Sequence, residues 1–515
     1  MDESNHTVES TPNPYPNILW YCTDQQRFDT IRALGNKHIN TPRLDAFLNE
    51  GTTFTHAYCQ SPICTPSRAS FLTGMYPSAL RVSANGVPSF PEEHAEHLLP
   101  SILANNGYLC GLTGKLHLTA AAQKETRVQD GYGFFEYSHA PARDYHNHND
   151  YYHWIKQQGA DPEEVLKRYD RKRYPLPEDD MFQGGLFEPN EKLDNAPSNL
   201  HQTHWCTEMG IDFIQSAQDA GKPWLLSVNV FDPHAPFDPP NEYYRRYDSS
   251  SLPEPIFDDN QKMRQDQLAY AGIDFQTESR PPSAWKAQKI KAAYYAMIEQ
   301  IDTEFGRLLD FLDASGQREN TVVVFMSDHG EMLGDHGLML KGCRFYDGLT
   351  RVPLIFSWPG RIQSGLQSDA LVELIDVMPT LLNAAGVEVP DHVQGKSLWP
   401  IVGGNDSSYI HRDYVRSEYY HALKMDAKDA ITSSGNEPPP YDGTKATMYR
   451  NRQWKLVVYH GHNEGELYDM ETDPEEKNDL WSFPEHQAIK MDLLKRSFDA
   501  TIEAVDTGPE PLLIA

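Results

Sequence analysis

Positive charge is the scarcest commodity in this chain. Its 45 Lys and Arg face 74 Asp and Glu, for a formal net charge of −29. That balance excludes a nucleic-acid partner, because phosphate binding needs a basic face. Cysteine is also sparse. The six (Cys22, Cys59, Cys64, Cys110, Cys206 and Cys343) are scattered through 515 residues without CxxC spacing. So few thiols in so long a chain exclude a disulfide framework and a thiolate zinc site. No apolar run reaches the roughly eighteen residues of a membrane-spanning helix, so no membrane partner is expected. The opening Met-Asp-Glu-Ser-Asn-His-Thr lacks the basic and apolar parts of a signal peptide. The expectation is a cytoplasmic protein, or a periplasmic or secreted one if a leader was removed. No internal repeat is present.

What the chain does have is an ordinary globular composition, 39% apolar and 11% aromatic. Its length suits a large core and two domains. Residues 1–15, rich in Ser, Thr, Asn and Pro, read as a disordered leader. Ile18 to Cys22, Trp224 to Val230 and Thr321 to Met326 are short apolar runs of the kind that form buried parallel strands. Each is followed by acids or histidines: Asp24, then Asp232 and His234, then Asp328 and His329. Polar residues at strand ends form ligand sites in open α/β sheets. Ile298, Ile301, Phe305, Leu308 and Leu312 fall at helical spacing, and Leu374 to Leu382 reads as a further helix. The predicted fold is α/β, a large mostly parallel sheet sandwiched by helices over residues 16–410. A smaller α+β domain follows over 411–515. Its antiparallel strands are expected around 447–450, 454–459 and 465–470, with a terminal helix near 485–504. Residues 433–443 read as a loop.

Residues 64 to 74 read Cys-Thr-Pro-Ser-Arg-Ala-Ser-Phe-Leu-Thr-Gly. Further along come Gly114-Lys115-Leu116-His117, Pro233-His234-Ala235-Pro236 and Asp328-His329-Gly330-Glu331. The first segment resembles, at every fixed position, the Cys-x-Pro-Ser-Arg-x-x-x-Leu-Thr-Gly signature of the type I sulfatases. A chance match has odds on the order of one in a billion per start. The other segments occur in that family's order, and the resemblance runs from Pro16 to about Leu480.

The resemblance implies an alkaline phosphatase-like fold and a sulfuric ester hydrolase. It implies that a formylglycine-generating enzyme oxidises Cys64 to formylglycine, whose hydrate is the nucleophile. It further implies that a divalent cation is held by Asp24, Gln25, Asp328 and His329, with the modified Cys64 completing the shell. Oxygen ligands favour Ca2+, with Mn2+ or Mg2+ as alternatives. Many members carry aspartate where Gln25 stands and asparagine where His329 stands. The Asp-Gln with Asp-His pairing resembles the phosphonate monoester hydrolase branch instead. Arg68 is implied to hold the nucleophile and the metal-side carboxylates, Lys115 to contact nucleophile or sulfate, and His117 to take the proton that releases sulfate. His234 is assigned the role of general acid, and Lys341 is expected to bind sulfate and could share that role. An extended segment is expected to point Lys115 and His117 the same way.

For substrate, Asn85 and Gly86 follow the signature by one loop. The stretch 139–150, containing Arg143, His146 and His148, reads either as a saccharide-binding loop or as a solvated one. Arg344, three residues after Lys341, is a candidate second anionic contact. His201, His204 and Trp205 read as packing, as do Tyr151, Tyr152 and Trp154, although the last three would also suit a sugar-stacking platform. The polar insertions favour a sulfated saccharide. The alternatives are phosphonate monoester or phosphodiester hydrolysis, and non-catalytic binding of a sulfated glycan.

Overall fold

The computed structural model describes residues 15–85, 90–119, 127–141, 149–167, 195–404, 409–420 and 444–505. The expected leader apart from Tyr15, the loop at 433–443, and Gly86, Arg143, His146 and His148 lie outside these residues.

The first apolar run forms strand β1 (Asn17–Thr23), buried along its whole length. The others in chain order are β2 (Thr52–Tyr58), β3 (Leu109–Gly114), β4 (Phe134–Tyr137), β5 (Trp224–Asn229), β6 (Thr321–Ser327), β7 (Arg351–Val352), β8 (Leu354–Ser357) and β9 (Leu366–Glu373). They make one sheet in the order β4-β3-β5-β1-β6-β8-β2-β7, with β9 beside β2. The neighbours β4, β3, β5, β1 and β6 are all parallel. On the far side, β8 runs antiparallel to β6 and β2.

Alternation along β1 sends side chains to two cores. Leu19 and Tyr21 pack with the helices Gln202–Asp219 and Ala287–Ala314. Ile18, Trp20 and Cys22 pack on the opposite face with the helices Cys64–Thr73 and Val377–Ala384. The helically spaced residues Ile298, Ile301, Phe305, Leu308 and Leu312 are all fully buried on the long helix. Tyr151, Trp154 and Trp205 belong to the same core, so Tyr151 and Trp154 pack rather than stack on sugars. All six cysteines are buried and unpaired.

A second, fully antiparallel sheet contains β10 (Val415–Tyr420), β11 (Lys445–Arg450), β12 (Trp454–His460) and β13 (Glu464–Asp469). The helix Gln487–Ala504 packs on it. Among the described residues, no helix is long and apolar enough to cross a membrane.

Candidate active site

Four adjacent parallel strands, β3, β5, β1 and β6, end at one edge of the sheet, and each hands its next residues to the same place. After β1 come Asp24 and Gln25, the latter at φ 72. After β6 come Asp328 and His329. Lys115 follows β3, and Asp232 and His234 follow β5. Backbone bonds lock these ends together: Asp24 N donates to Asp232 O at 3.2 Å and Asp328 N to Thr23 O at 3.2 Å.

The signature segment is a helix that opens at Cys64. Proline is tolerated in a first turn because the N–H it lacks there has no partner. Asn85 Oδ1 accepts from Thr65 N at 3.1 Å, and Ser67 Oγ donates to Asp328 O at 2.6 Å. Gly74 ends the helix at φ 70, and a Cβ there would come within 2.8 Å of Val393. The final residue of the signature therefore has to be glycine on two counts.

Around Cys64 the charges are dense and buried. Lys341 Nζ lies 2.8 Å from Cys64 Sγ, and His329 Nε2 lies 3.1 Å from it. Lys115 Nζ lies 4.0 Å from the sulfur and forms an ion pair with Asp24. Arg68 spans the site, with Nε on Asp328 Oδ2 at 2.9 Å, one Nη on Asp24 Oδ2 at 3.3 Å and the other on Lys115 O at 3.1 Å. Burial opposes ionisation of Asp24, but Lys115, His234, Arg68 and Lys341 hold it well below the usual carboxylate range. Burial and Asp24 push the Cys64 thiol up, and Lys115, Lys341 and His329 more than offset them. The net effect favours a thiolate, the reactive form of cysteine.

Asp24, Cys64, Asp328 and His329 each offer a ligand atom within 4.8 Å of the others. His329 Nδ1 pairs with Gly330 O at 2.9 Å. A carbonyl only accepts, so Nδ1 carries the hydrogen and Nε2 faces the cluster. Gln25 Oε1 faces the same space. The Lys341 ammonium already bonds three of these groups, Gln25 Oε1 at 2.8 Å, Cys64 Sγ and His329 Nε2 at 3.2 Å. An acceptor set that encloses one cation, with two carboxylates and an amide oxygen among its donors, fits a hard divalent ion.

His117 sits at φ 58, just past the end of β3. The backbone thus leaves the expected extended conformation at His117, and strand alternation does not aim this ring. Both ring nitrogens are buried without a partner, and the ring meets that of His139 edge-on, with centroids 4.4 Å apart. Burial, Lys115 and His139 hold His117 well below the ordinary histidine range. His234 lies between two cis X-Pro bonds and pairs Nδ1 with Ala235 O at 2.6 Å. Burial and Lys341 hold this ring too in its neutral form. Burial, with a smaller push from Asp24, raises Asp232 to about 7 against the hydroxyl bond from Thr203.

Arg344 was the candidate second anionic contact. It is 1% exposed, bonds Gln265 and Cys343 O at 2.7 Å each, and packs by the Phe275 and Tyr459 rings. The Tyr459 contact ties its segment to the second sheet. His201 caps the helix Gln202–Asp219, and His204 pairs with Glu304 at 2.9 Å. Glu331 had no expected role. It is fully buried and accepts from Gln25 Nε2, Leu333 N and Leu340 N. Its position as the last residue of the Asp-His-Gly-Glu segment was the only signal for it.

Known proteins resemble the chain along most of its length. Residues 16–387 match the sulfatase family model, and residues 334–503 match that of the C-terminal region of N-sulphoglucosamine sulphohydrolase. An arylsulfatase of Clostridium perfringens is 30% identical over 96% of this chain and 95% of its own. An N-acetylglucosamine-6-O-sulfatase of Bacteroides thetaiotaomicron is 25% identical over 96% of this chain and 88% of its own. In fold, the chain resembles the phosphonate monoester hydrolase of Agrobacterium radiobacter, with a TM-score of 0.74 and 24% identity over 95% of this chain and 96% of that one. With its signature cysteine at the meeting point of four strand ends, the chain belongs to the sulfatase family of sulfuric ester hydrolases.

Proposed function

We propose that the protein removes sulfate from a sulfated saccharide, using formylglycine formed from Cys64 and a divalent cation held by Asp24, Gln25, Asp328 and His329. Calcium is the first choice, with manganese or magnesium next. The observation that carries the reading is the convergence of Lys341, His329, Lys115 and Asp24 on Cys64 Sγ. The sulfur stands where a side-chain oxygen of the oxidised residue would sit. That residue would supply a hydrated aldehyde, one oxygen of which bonds to sulfur as the ester bond breaks, while the cation would offset the charge of the sulfate.

The chain's own groups then divide the work. Arg68 and Lys115 fix the two carboxylates and add positive charge beside residue 64. Lys341 leaves its present acceptors to bind sulfate oxygens. His117, neutral and with both nitrogens unpartnered, accepts a proton beside residue 64. His234 spends Nδ1–H on Ala235 O, which leaves Nε2 to carry the proton given to the departing sugar oxygen. An anionic substrate next to this ring favours its protonation. Asn85, Arg143, His146 and His148 are proposed saccharide contacts. The catalytic domain is taken as residues 16–410 and the smaller domain as 411–515. A saccharide substrate draws support from the relative named for N-acetylglucosamine 6-O-sulfate.

A phosphonate monoester or phosphodiester is the second reading, favoured by Gln25 and His329 in the cation pocket. One experiment separates the two. The protein is produced with a formylglycine-generating enzyme, and the mass of the peptide containing Cys64 is measured for replacement of the thiol sulfur by an aldehyde oxygen. The same sample is assayed on sulfate and phosphonate esters. Conversion with sulfate release that Cys64→Ala abolishes supports the main reading. Phosphonate cleavage alone moves the protein to the second, and an unconverted thiol defeats both.

A further inference from the structure

Gln25 stands among the groups proposed above to hold the cation, and an amide there raises a problem that a carboxylate does not. Its oxygen can face a cation, but its amide nitrogen only donates. An unrestrained amide could present either end. Here both ends are fixed by partners whose own chemistry leaves no choice. Lys341 Nζ, a donor only, lies 2.8 Å from Oε1. Glu331 Oε2 accepts from Nε2. Gln25 and Glu331 are 0% exposed and Lys341 is 2% exposed, so all three side chains are buried.

Glu331 uses its other oxygen on the loop that carries Lys341. Oε1 accepts from Leu333 N at 3.0 Å and from Leu340 N. Both leucines lie at positive φ, 51 and 67, a region disfavoured for any residue with a side chain. Leu340 directly precedes Lys341. One carboxylate therefore pins both ends of the turn from 331 to 341 while it orients the amide opposite.

We infer that Glu331 is a positioning residue for the cation pocket: it turns the Gln25 carbonyl oxygen inward and sets Lys341 against it. This rests on the reading of Gln25 as a cation ligand. A carboxylate is needed rather than any buried acceptor, because every atom facing it is a donor. An amide at 331 could serve the two leucines with its oxygen but would offer its own N–H donors to Gln25.

That asymmetry supplies the test. Manganese(II) is titrated into the full-length chain, and free ion is counted by electron paramagnetic resonance. Glu331→Gln keeps an acceptor for the loop but forces the Gln25 amide to turn over, and affinity is expected to fall by about 10–100-fold. Adding Gln25→Glu to Glu331→Gln puts an acceptor back at both ends of residue 25, and most of the lost affinity is expected to return. Thermal unfolding of each variant without manganese separates a lost fold from a lost site. A native chain that binds no manganese removes the cation reading and this inference with it. Native binding that Glu331→Gln leaves unchanged, or a double variant no better than the single one, overturns the inference alone.

Discussion

At the scale of single residues the site is held by buried charge pairs, so each substitution carries two costs. Arg68 serves Asp328, Asp24 and Lys115 O at once. A lysine has the charge without the planar fork that reaches three acceptors. Arg68→Lys is expected to lower the unfolding free energy by about 3–5 kcal/mol, the range for breaking a buried pair, and to reduce kcat/KM at least as severely. Urea unfolding and steady-state kinetics check the two together. His234 should show itself through the leaving group. General acid help is worth about 10²–10⁴-fold where the alkoxide is poor, so His234→Ala should cost that much on a sugar sulfate and little on an activated aryl sulfate. Because burial and Lys341 lower its pKa, the free ring is mostly neutral near pH 7. Native kcat/KM on a sugar sulfate should therefore rise as pH falls below 7, and the aryl sulfate should lack this slope. An identical profile for both substrates would remove His234 from the acid role. Cys64, Lys115 and Asp328 were legible because each sits in a segment whose chemistry is local. The inward aim of Gln25 was not, since it depends on Glu331, 306 positions away.

At the scale of elements the runs that form β1, β5 and β6 were legible, as were β11, β12 and β13, whereas β10 was not. Ile18 to Cys22 reads as a buried strand because nothing but a core would take it. In β10, Val-Arg-Ser-Glu-Tyr-Tyr carries charges that in isolation suggest surface. The strand is nevertheless buried, because Arg416 pairs with Glu418 at 2.9 Å and Glu373 accepts from Arg416 N at 2.7 Å. The same economy joins the two sheets at Asp376, which follows β9. It accepts from His411 at 2.9 Å and Lys396 N at 2.7 Å, and it pairs with Arg412. Burial works against this carboxylate, but Arg412 and His411 hold it well below the usual range. A depressed pKa means that the unfolded chain binds the proton more readily. The stabilisation is then complete above the unfolded value of about 3.9 and drains away as pH falls toward the folded value. Asp376→Asn is expected to cost about 3–5 kcal/mol at pH 7 and to flatten the loss of stability below pH 4. Unfolding midpoints of both proteins across pH 3–7 test it, and parallel curves would show that the pair contributes nothing to docking.

For the molecule as a whole, a net charge of −29 surrounds a pocket built to take an anion. The two fields act over different distances. Arg68, Lys115 and Lys341 are nearly inaccessible, so their attraction is felt inside the pocket and is little screened by salt. The acidic surface acts on a sulfated chain during its approach, through water, where ions screen it fully. Raising ionic strength from about 0.01 M to about 0.15 M shortens the screening length from about 30 Å to about 8 Å. Long-range repulsion should weaken more than short-range attraction, so kcat/KM on a sulfated oligosaccharide should rise over that interval. The rise should grow with the number of sulfates, because each adds repulsion outside the pocket while only one enters it. A neutral-bodied monosulfate of the same sugar should show the smallest change. If kcat/KM falls instead, and falls most for the polysulfated substrate, then basic residues must line the path to the pocket and dominate the acidic exterior, and Arg143 would be the first to replace.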